Sequence, residues 1–322
     1  MTPLHTGEKL DHYVIDDLVA RGDMASIFRA SDELTGKPVA IKIPHPETEA
    51  DPVFFERFHR EQEVGEKLDH PGVMKVYHSG HHSQVYMVME WVDGRLLRQI
   101  MDEQKKFPAG RAVKITLHIA AALDYIHGHG VFHRDLKPEN IMVTANDHIK
   151  LIDFGVAANV GSRRLTFGNF SRTMGTPDYV SPEQVKGKRG DARSDIYALG
   201  VMLYEMLTGK VPFTGPNAFA IMNDRLLNSP VPPRELDPTI SPQLQEIVYR
   251  ALERDPAKRY RSAREFALDL EYQEHVGVAD RDELTNWRVR KQPCTRQLLF
   301  YVALVLIPVV IFAIMLWVAK HT

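Results

Sequence analysis

Residues 133–140 read His-Arg-Asp-Leu-Lys-Pro-Glu-Asn, and thirteen residues beyond Asn140 comes Asp153-Phe154-Gly155. Upstream stands Val39-Ala40-Ile41-Lys42, and downstream Ser181-Pro182-Glu183. Asn140 and Asp153 are hard oxygen donors of the kind Mg²⁺ takes. Asp135 can accept or aim a proton. Lys42 and Lys137 bring positive charge. These residue types suit the handling of a polyanion together with a divalent cation.

Side chains so far apart act together only if a fold gathers them. Short strands come first, at 13–19, 26–31, 37–43 and 84–90, with Val39, Ile41 and Ile43 on one face at period two. A helix is expected over 52–68, with Glu61, Val64 and Leu68 on its inward face. Helical signals then dominate, at 112–129, 195–208, 218–227, 241–252 and 262–271. Strands followed by helices imply an α+β fold, with a small β-rich lobe and a larger helical lobe.

Composition narrows the classes. Of 322 residues 44% are hydrophobic and 25% charged, which is globular rather than disordered. Lys plus Arg is 40 against Asp plus Glu 42, so a general nucleic-acid binder is not expected. The single cysteine, Cys294, excludes a disulfide framework and a cysteine-based zinc site within one chain. Fifteen histidines leave metal chemistry open by count. The N-terminus has no signal-peptide core.

The apolar residues are unevenly spread. Residues 298–319 carry no charge, and as a helix would extend about 33 Å, enough to cross a bilayer core. Pro308 is tolerable there, and Tyr301 and Trp317 lie where interfacial aromatics are expected. The competing reading is a buried core helix, against which stands its apolar character on every face. Arg288, Arg290, Lys291 and Arg296 precede it in the stretch 273–297, which places that side in the cytoplasm or is simply a solvated linker. The expected division is therefore 1–9, a folded domain at 10–272, a basic linker at 273–297, a membrane helix at 298–319 and a tail at 320–322. Three residues after the span are too few for a sensor domain. Cys294 is expected to be an unmodified thiol.

With these motifs in this order and spacing, residues 10–272 resemble the eukaryotic-like (Hanks-type) serine/threonine protein kinases of bacteria. The resemblance implies a two-lobed kinase fold and transfer of the ATP γ-phosphate to Ser/Thr hydroxyls of proteins, its own activation loop included. ATP with Mg²⁺ is the implied cofactor, with Mn²⁺ as a substitute. Phosphoryl transfer asks mainly for positioning and charge neutralisation, which is what these residues supply. Lys42 would hold the α- and β-phosphates and pair with Glu61, with Glu63 and Glu56 as the alternatives. Asp135 would aim the substrate hydroxyl, Lys137 steady the transferring phosphate, and Asn140 and Asp153 bind the metal. Asp135-x-Lys137 follows the Ser/Thr rather than the Tyr pattern.

The adenine pocket is implied at Ile27, Ala40, Met89 and Met142, with the backbone of Glu90 and Val92 as the hinge. The glycine-rich loop departs from its family pattern, for only Gly22 remains and Ala20 and Ala25 stand at glycine positions. Alanine gives up easy access to positive φ and stiffens the loop, so a working but weaker ATP clamp is expected. Residues 156–180 match the activation loop, with Thr173 and then Ser171 as phosphosites facing Arg134, or with neither modified. Thr176 is the implied substrate-docking threonine, Glu183 the partner of Arg259, and Asp195 the anchor of the catalytic loop. Gly65 is an oddity inside the Glu61 helix that would let it shift. Implied partners are protein substrates, the membrane and a second copy paired through the small lobe. Rival readings are a pseudokinase scaffold, suggested by Ala20 and Ala25, a small-molecule kinase and a transmembrane receptor kinase.

Overall fold

A computed structural model describes residues 5–279, apart from 23, 50, 79, 81–82 and 154–176. The expected span at 298–319, the basic residues Arg288, Arg290, Lys291 and Arg296, Cys294, and the loop positions Ser171, Thr173 and Thr176 lie outside the described residues. Among the described residues no helix is long and apolar enough to cross a membrane. Met1–Leu227 and Pro232–Val278 form one folded unit, and every element below belongs to it.

Strand alternation builds the first sheet. Strands β1 (Lys9–Leu10), β2 (Tyr13–Arg21), β3 (Ala25–Asp32), β4 (Pro38–Pro44), β5 (Val76–Tyr77) and β6 (Met87–Glu90) lie in the order β1-β2-β3-β4-β6-β5. Period two sends Val39 and Ile41 into a small core with Tyr13, Ile15, Phe28 and Val88, and Ile43 packs at its margin. The same alternation turns Ala40 and Lys42 to the other face. There Ala40 lies opposite Met89 and Lys42 opposite Met87 across β6, and Ala40, Met87 and Met89 join the larger core.

Helix α1 (Pro46–Glu49) precedes α2 (Pro52–Lys67). Asp51 caps α2 by accepting from the Val53 N–H, and Pro52 opens it, where its missing N–H costs nothing. Phe58, Glu61 and Gly65 are the buried residues of α2, and Val64 and Leu68 pack into the larger core as expected.

The second lobe holds β7 (Arg95–Leu96), α3 (Leu97–Gln104), α4 (Ala109–Gly128), β8 (Ile141–Val143), β9 (Ile149–Leu151), α5 (Pro182–Val185), α6 (Ala192–Thr208), α7 (Ala218–Leu227), α8 (Pro233–Leu236), α9 (Pro242–Ala251) and α10 (Ala263–Glu271). Its axis is α6, buried on all sides from Ser194 to Leu207. A capping box of Asp191 and Ser194 starts α6, and Gly209, at φ 71°, takes the left-handed cap that ends it. Helices expected at 241–252 and 262–271 are α9 and α10 with their serine caps. Ser241 accepts from the Leu244 N–H and Ser262 from the Glu265 N–H.

The β7-β8-β9 sheet and α3 are absent from the sequence reading. Strands of two or three residues are too short to display a period. The strand expected at 84–90 is shorter, Met87–Glu90, and α4 begins earlier than expected, at Ala109.

Candidate active site

The loop 133–140 leaves α4 and leads into β8, and a carboxylate from α6 holds it. Asp195, 1% exposed, accepts from the His133 N–H at 2.9 Å and the Arg134 N–H at 2.7 Å, and lies 2.8 Å from His127 Nε2. Arg134 has φ 63°, a left-handed backbone that costs a non-glycine residue about 1–2 kcal/mol. Asp195 stabilises it there. Next in the chain, Asp135 meets Lys137 Nζ at 2.8 Å. Asn140 donates through Nδ2 to the Asp135 carbonyl at 2.8 Å. That commits its nitrogen and leaves Oδ1 as the free ligand atom. The Asn140 carbonyl accepts from the Ile152 N–H at 3.0 Å, which registers this loop against the chain entering Asp153.

Lys42, on the cleft face of β4, reaches Glu61 Oε1 at 2.8 Å and Asp153 Oδ1 at 3.6 Å. Glu61 is thus the partner of Lys42. Glu56 and Glu63 are exposed, so both alternatives fall away. Burial pulls the Lys42 ammonium toward neutrality, but Glu61 and Asp153 outweigh it and hold its pKa above the ordinary lysine value. The Lys42 charge beside Asp153 holds that carboxyl below the usual carboxylate range. Burial pushes Glu61 upward, against the pull of Lys42. Asp153 has φ 68°, and its side chain is 56% exposed, so an anionic oxygen faces the cleft. The Asp153 carboxylate and the Asn140 amide oxygen are a donor set that fits a hard divalent cation. Among the described residues no group of three or more His, Cys, Asp or Glu could hold a metal alone.

Of the residues expected around an adenine, Ile27, Ala40 and Met89 pack into the larger core from β3, β4 and β6. Ile27 lies opposite Lys42 on β3, and Ala40 and Met89 face each other at 8% and 3% exposure. Met142 is half-buried on β8, between buried Ile141 and Val143 that face the core. Val92 is buried, and the nearby Gly94 is a close approach. A Cβ there would stand 2.7 Å from the Val143 carbonyl oxygen. Gly22 donates to the Ala25 carbonyl at 3.0 Å, and β2 and β3 pair from Arg21–Ser26 outward. Neither Ala20 nor Ala25 has a positive φ, so the conformational penalty expected for these alanines does not arise in this arrangement.

On the far side of the catalytic loop lie residues 177–183. Glu183 forms a two-pronged ion pair with Arg259 at 2.7 and 2.8 Å, as expected. Gln184 donates to the Arg134 carbonyl at 2.9 Å, joining this segment to the loop that carries Asp135.

Several participants had no sequence signal. Tyr179 donates to Glu205, which Arg98 also meets at 2.9 Å. The Glu90 carboxylate accepts from the Lys75 N–H at 2.8 Å and Lys150 Nζ at 2.6 Å, a role beyond the one expected of its backbone. Arg225 from α7 binds the carbonyls of Pro177 and Asp178. Contacts joined across 15 or more positions leave no local pattern. Only Glu90, a carboxylate at the end of an otherwise apolar strand, stands out in the sequence.

The comparisons agree with this geometry. The protein kinase domain family matches residues 13–269. A probable serine/threonine-protein kinase PknB of Corynebacterium glutamicum is 39% identical over 269 residues, covering 81% of this chain and 42% of that protein. The PknI kinase domain of Mycobacterium tuberculosis superposes with a TM-score of 0.65 at 29% identity, covering 84% of this chain and 100% of that one. Rad53 residues 1–466 in complex with AMP-PNP gives 0.64 at 28% identity, covering 80% and 64%. The chain spans about two fifths of the length of the curated relatives it matches. With a lysine ion-paired to a helix glutamate, two oxygen donors across the cleft and a catalytic loop anchored on α6, and with a family match over most of its length, the chain belongs to the protein kinase family.

Proposed function

We propose that this chain is an ATP-dependent protein serine/threonine kinase, tethered to the cytoplasmic face of a membrane. The observation that carries the activity is Lys42, ion-paired with Glu61 and facing Asp153. A scaffold has no chemical need for that arrangement. Lys42 holds the α- and β-phosphates. Asn140 and Asp153 would hold Mg²⁺ through their side-chain oxygens. The bound metal supplies charge neutralisation on the phosphates. Asp135 aims the acceptor hydroxyl, and Lys137 steadies the group in transit. Ile27, Ala40, Met89 and Met142 enclose the base, and the backbone of Glu90 and Val92 reads its edge. The platform at 177–183 takes a polypeptide acceptor rather than a small molecule.

Autophosphorylation at Thr173 or Ser171 is part of the reading. Burial and the charge of Arg189 lower the Arg134 pKa, against the pull of Asp195 and Asp191, and a phosphate beside Arg134 and Arg189 would offset their repulsion. The apolar stretch 298–319 supports the tether. Exposed Leu18, Val19 and Leu34 on the small lobe support pairing of two copies there.

Transfer of labelled phosphate from Mg-ATP, compared between the chain and its Asp135→Asn variant, tests the activity. Label in the first alone is expected, and equal label in both would overturn the kinase reading. Removal of residues 298–322 is expected to release an active soluble protein. If that fragment still pelleted with membranes, the tether would lie elsewhere.

A further inference from the structure

A buried guanidinium stands behind the acceptor platform. Arg225 is 0% exposed, and with Met222 it is one of two buried residues on α7. It makes no ion pair among the described residues. Instead, Nη1 donates to the Pro177 carbonyl at 2.7 Å and Nη2 to the Asp178 carbonyl at 2.6 Å. Its guanidinium lies over the Phe213 ring, 5.7 Å from the centroid, and its Nε has no partner. Asp178 feels its charge, but a buried cation that closes no ion pair is costly. An apolar residue would fill the same place on an amphipathic helix, so packing alone does not account for it.

The geometry explains what the charge does. A guanidinium is a rigid fork. Bonds to two successive carbonyls fix the orientation of both peptide planes, where a single bond would leave one free to turn. From the other side, Tyr179 is held by Glu205 and Arg98, and Gln184 ties the following turn to the Arg134 carbonyl. The backbone at 177–180 is thus set relative to Asp135 by three independent attachments, and Arg225 supplies the one that acts on its carbonyls.

We propose that Arg225 is a positioning residue for the acceptor polypeptide: it fixes the 177–180 backbone so that the acceptor hydroxyl is presented to Asp135. This rests on the reading of residues 177–183 as the acceptor platform. Arg225 touches neither ATP nor acceptor, so its loss affects the acceptor side alone.

The test uses the full chain as kinase and its Asp135→Asn variant as the protein acceptor. R225M is expected to raise the acceptor KM about tenfold, while the ATP KM and the slow hydrolysis of ATP by water stay within about twofold of wild type. R225K keeps the charge but loses the fork, and is expected to show an intermediate acceptor KM. An unchanged acceptor KM in R225M overturns the proposal, as does hydrolysis falling in proportion to transfer, which is the mark of a general loss of fold. If R225M does not fold, R225K decides. A rise of about threefold in acceptor KM with unchanged hydrolysis supports the proposal, and no rise overturns it. Failure of the underlying kinase reading is distinct, because wild type itself would then transfer no phosphate.

Discussion

Asp195→Asn isolates the anchoring of the catalytic loop from ATP binding. In the native chain two carboxylate oxygens receive the His133 and Arg134 N–H groups, at 2.9 and 2.7 Å, on opposite sides. Asparagine has one carbonyl oxygen. If it faces His133 and His127, its NH₂ confronts the Arg134 N–H, donor against donor; the flipped amide strands His133 instead. Either way one hydrogen bond to a charged acceptor is lost, at about 1.5–3 kcal/mol, and one buried N–H is orphaned, at about 1–3 kcal/mol. Arg134 at φ 63° then has reason to leave the left-handed region, which recovers about 1–2 kcal/mol. The net gap between competent and relaxed loops closes by about 3 kcal/mol, equivalent to roughly a hundredfold in rate if the competent form becomes the minority. Lys42 and Glu61 lie on other elements, so the ATP KM is expected to stay within about twofold. The assay is initial-rate transfer from labelled ATP to the Asp135→Asn chain, with ATP and acceptor varied separately. A kcat within about threefold of wild type would refute the anchoring argument, and so would a loss confined to the ATP KM.

Two other perturbations probe different parts of the site. Burial raises the Glu183 carboxyl, but hydrogen bonding and charge from Arg259 outweigh it and leave its pKa below the usual carboxylate range. Its stabilising effect is therefore fully present above that range and is lost as pH falls through the depressed pKa. Glu183→Gln strands a guanidinium that is 0% exposed, and should cost about 3 kcal/mol at neutral pH while flattening the acid side of the stability profile. Urea unfolding at several pH values measures both, and an unchanged acid slope counts against the pair. Gly94→Ala places a Cβ 2.7 Å from the Val143 carbonyl oxygen, a clash that backbone must absorb at about 1–3 kcal/mol. The ATP KM should rise several-fold with little effect on the acceptor KM, and an unaltered ATP KM would show that the hinge gives way freely.

Much of the site is legible before folding because its residues lie in short, contiguous runs. His133 to Asn140 holds the carboxylate of Asp135, the amide of Asn140 and the ammonium of Lys137 within eight positions, and β4 carries Lys42 on a strand whose alternation is plain. The α2 face pointed to Glu61, and the structure removed Glu56 and Glu63 by leaving them exposed. Helices α9 and α10 were legible down to their serine caps, since capping is a local hydrogen bond. The β7-β8-β9 sheet was not, because its strands are too short to show a period and pair only when α3 and α4 bring them together.

Residue order alone shows which side chains are available, how they are spaced, and the strand and helix periods that present them. It also marked 298–319 as unlike everything before it. Only the tertiary structure decided how the loops are held. Asp195 reaches back across 62 positions to the His133 N–H, Glu183 reaches Arg259 across 76, and Arg225 turns inward to two carbonyls 48 and 47 positions earlier. Such contacts carry no local signature, because a charge reads the same in a sequence whether it ends in water or beneath a loop. Burial decides between the two, and burial is a property of the packed chain.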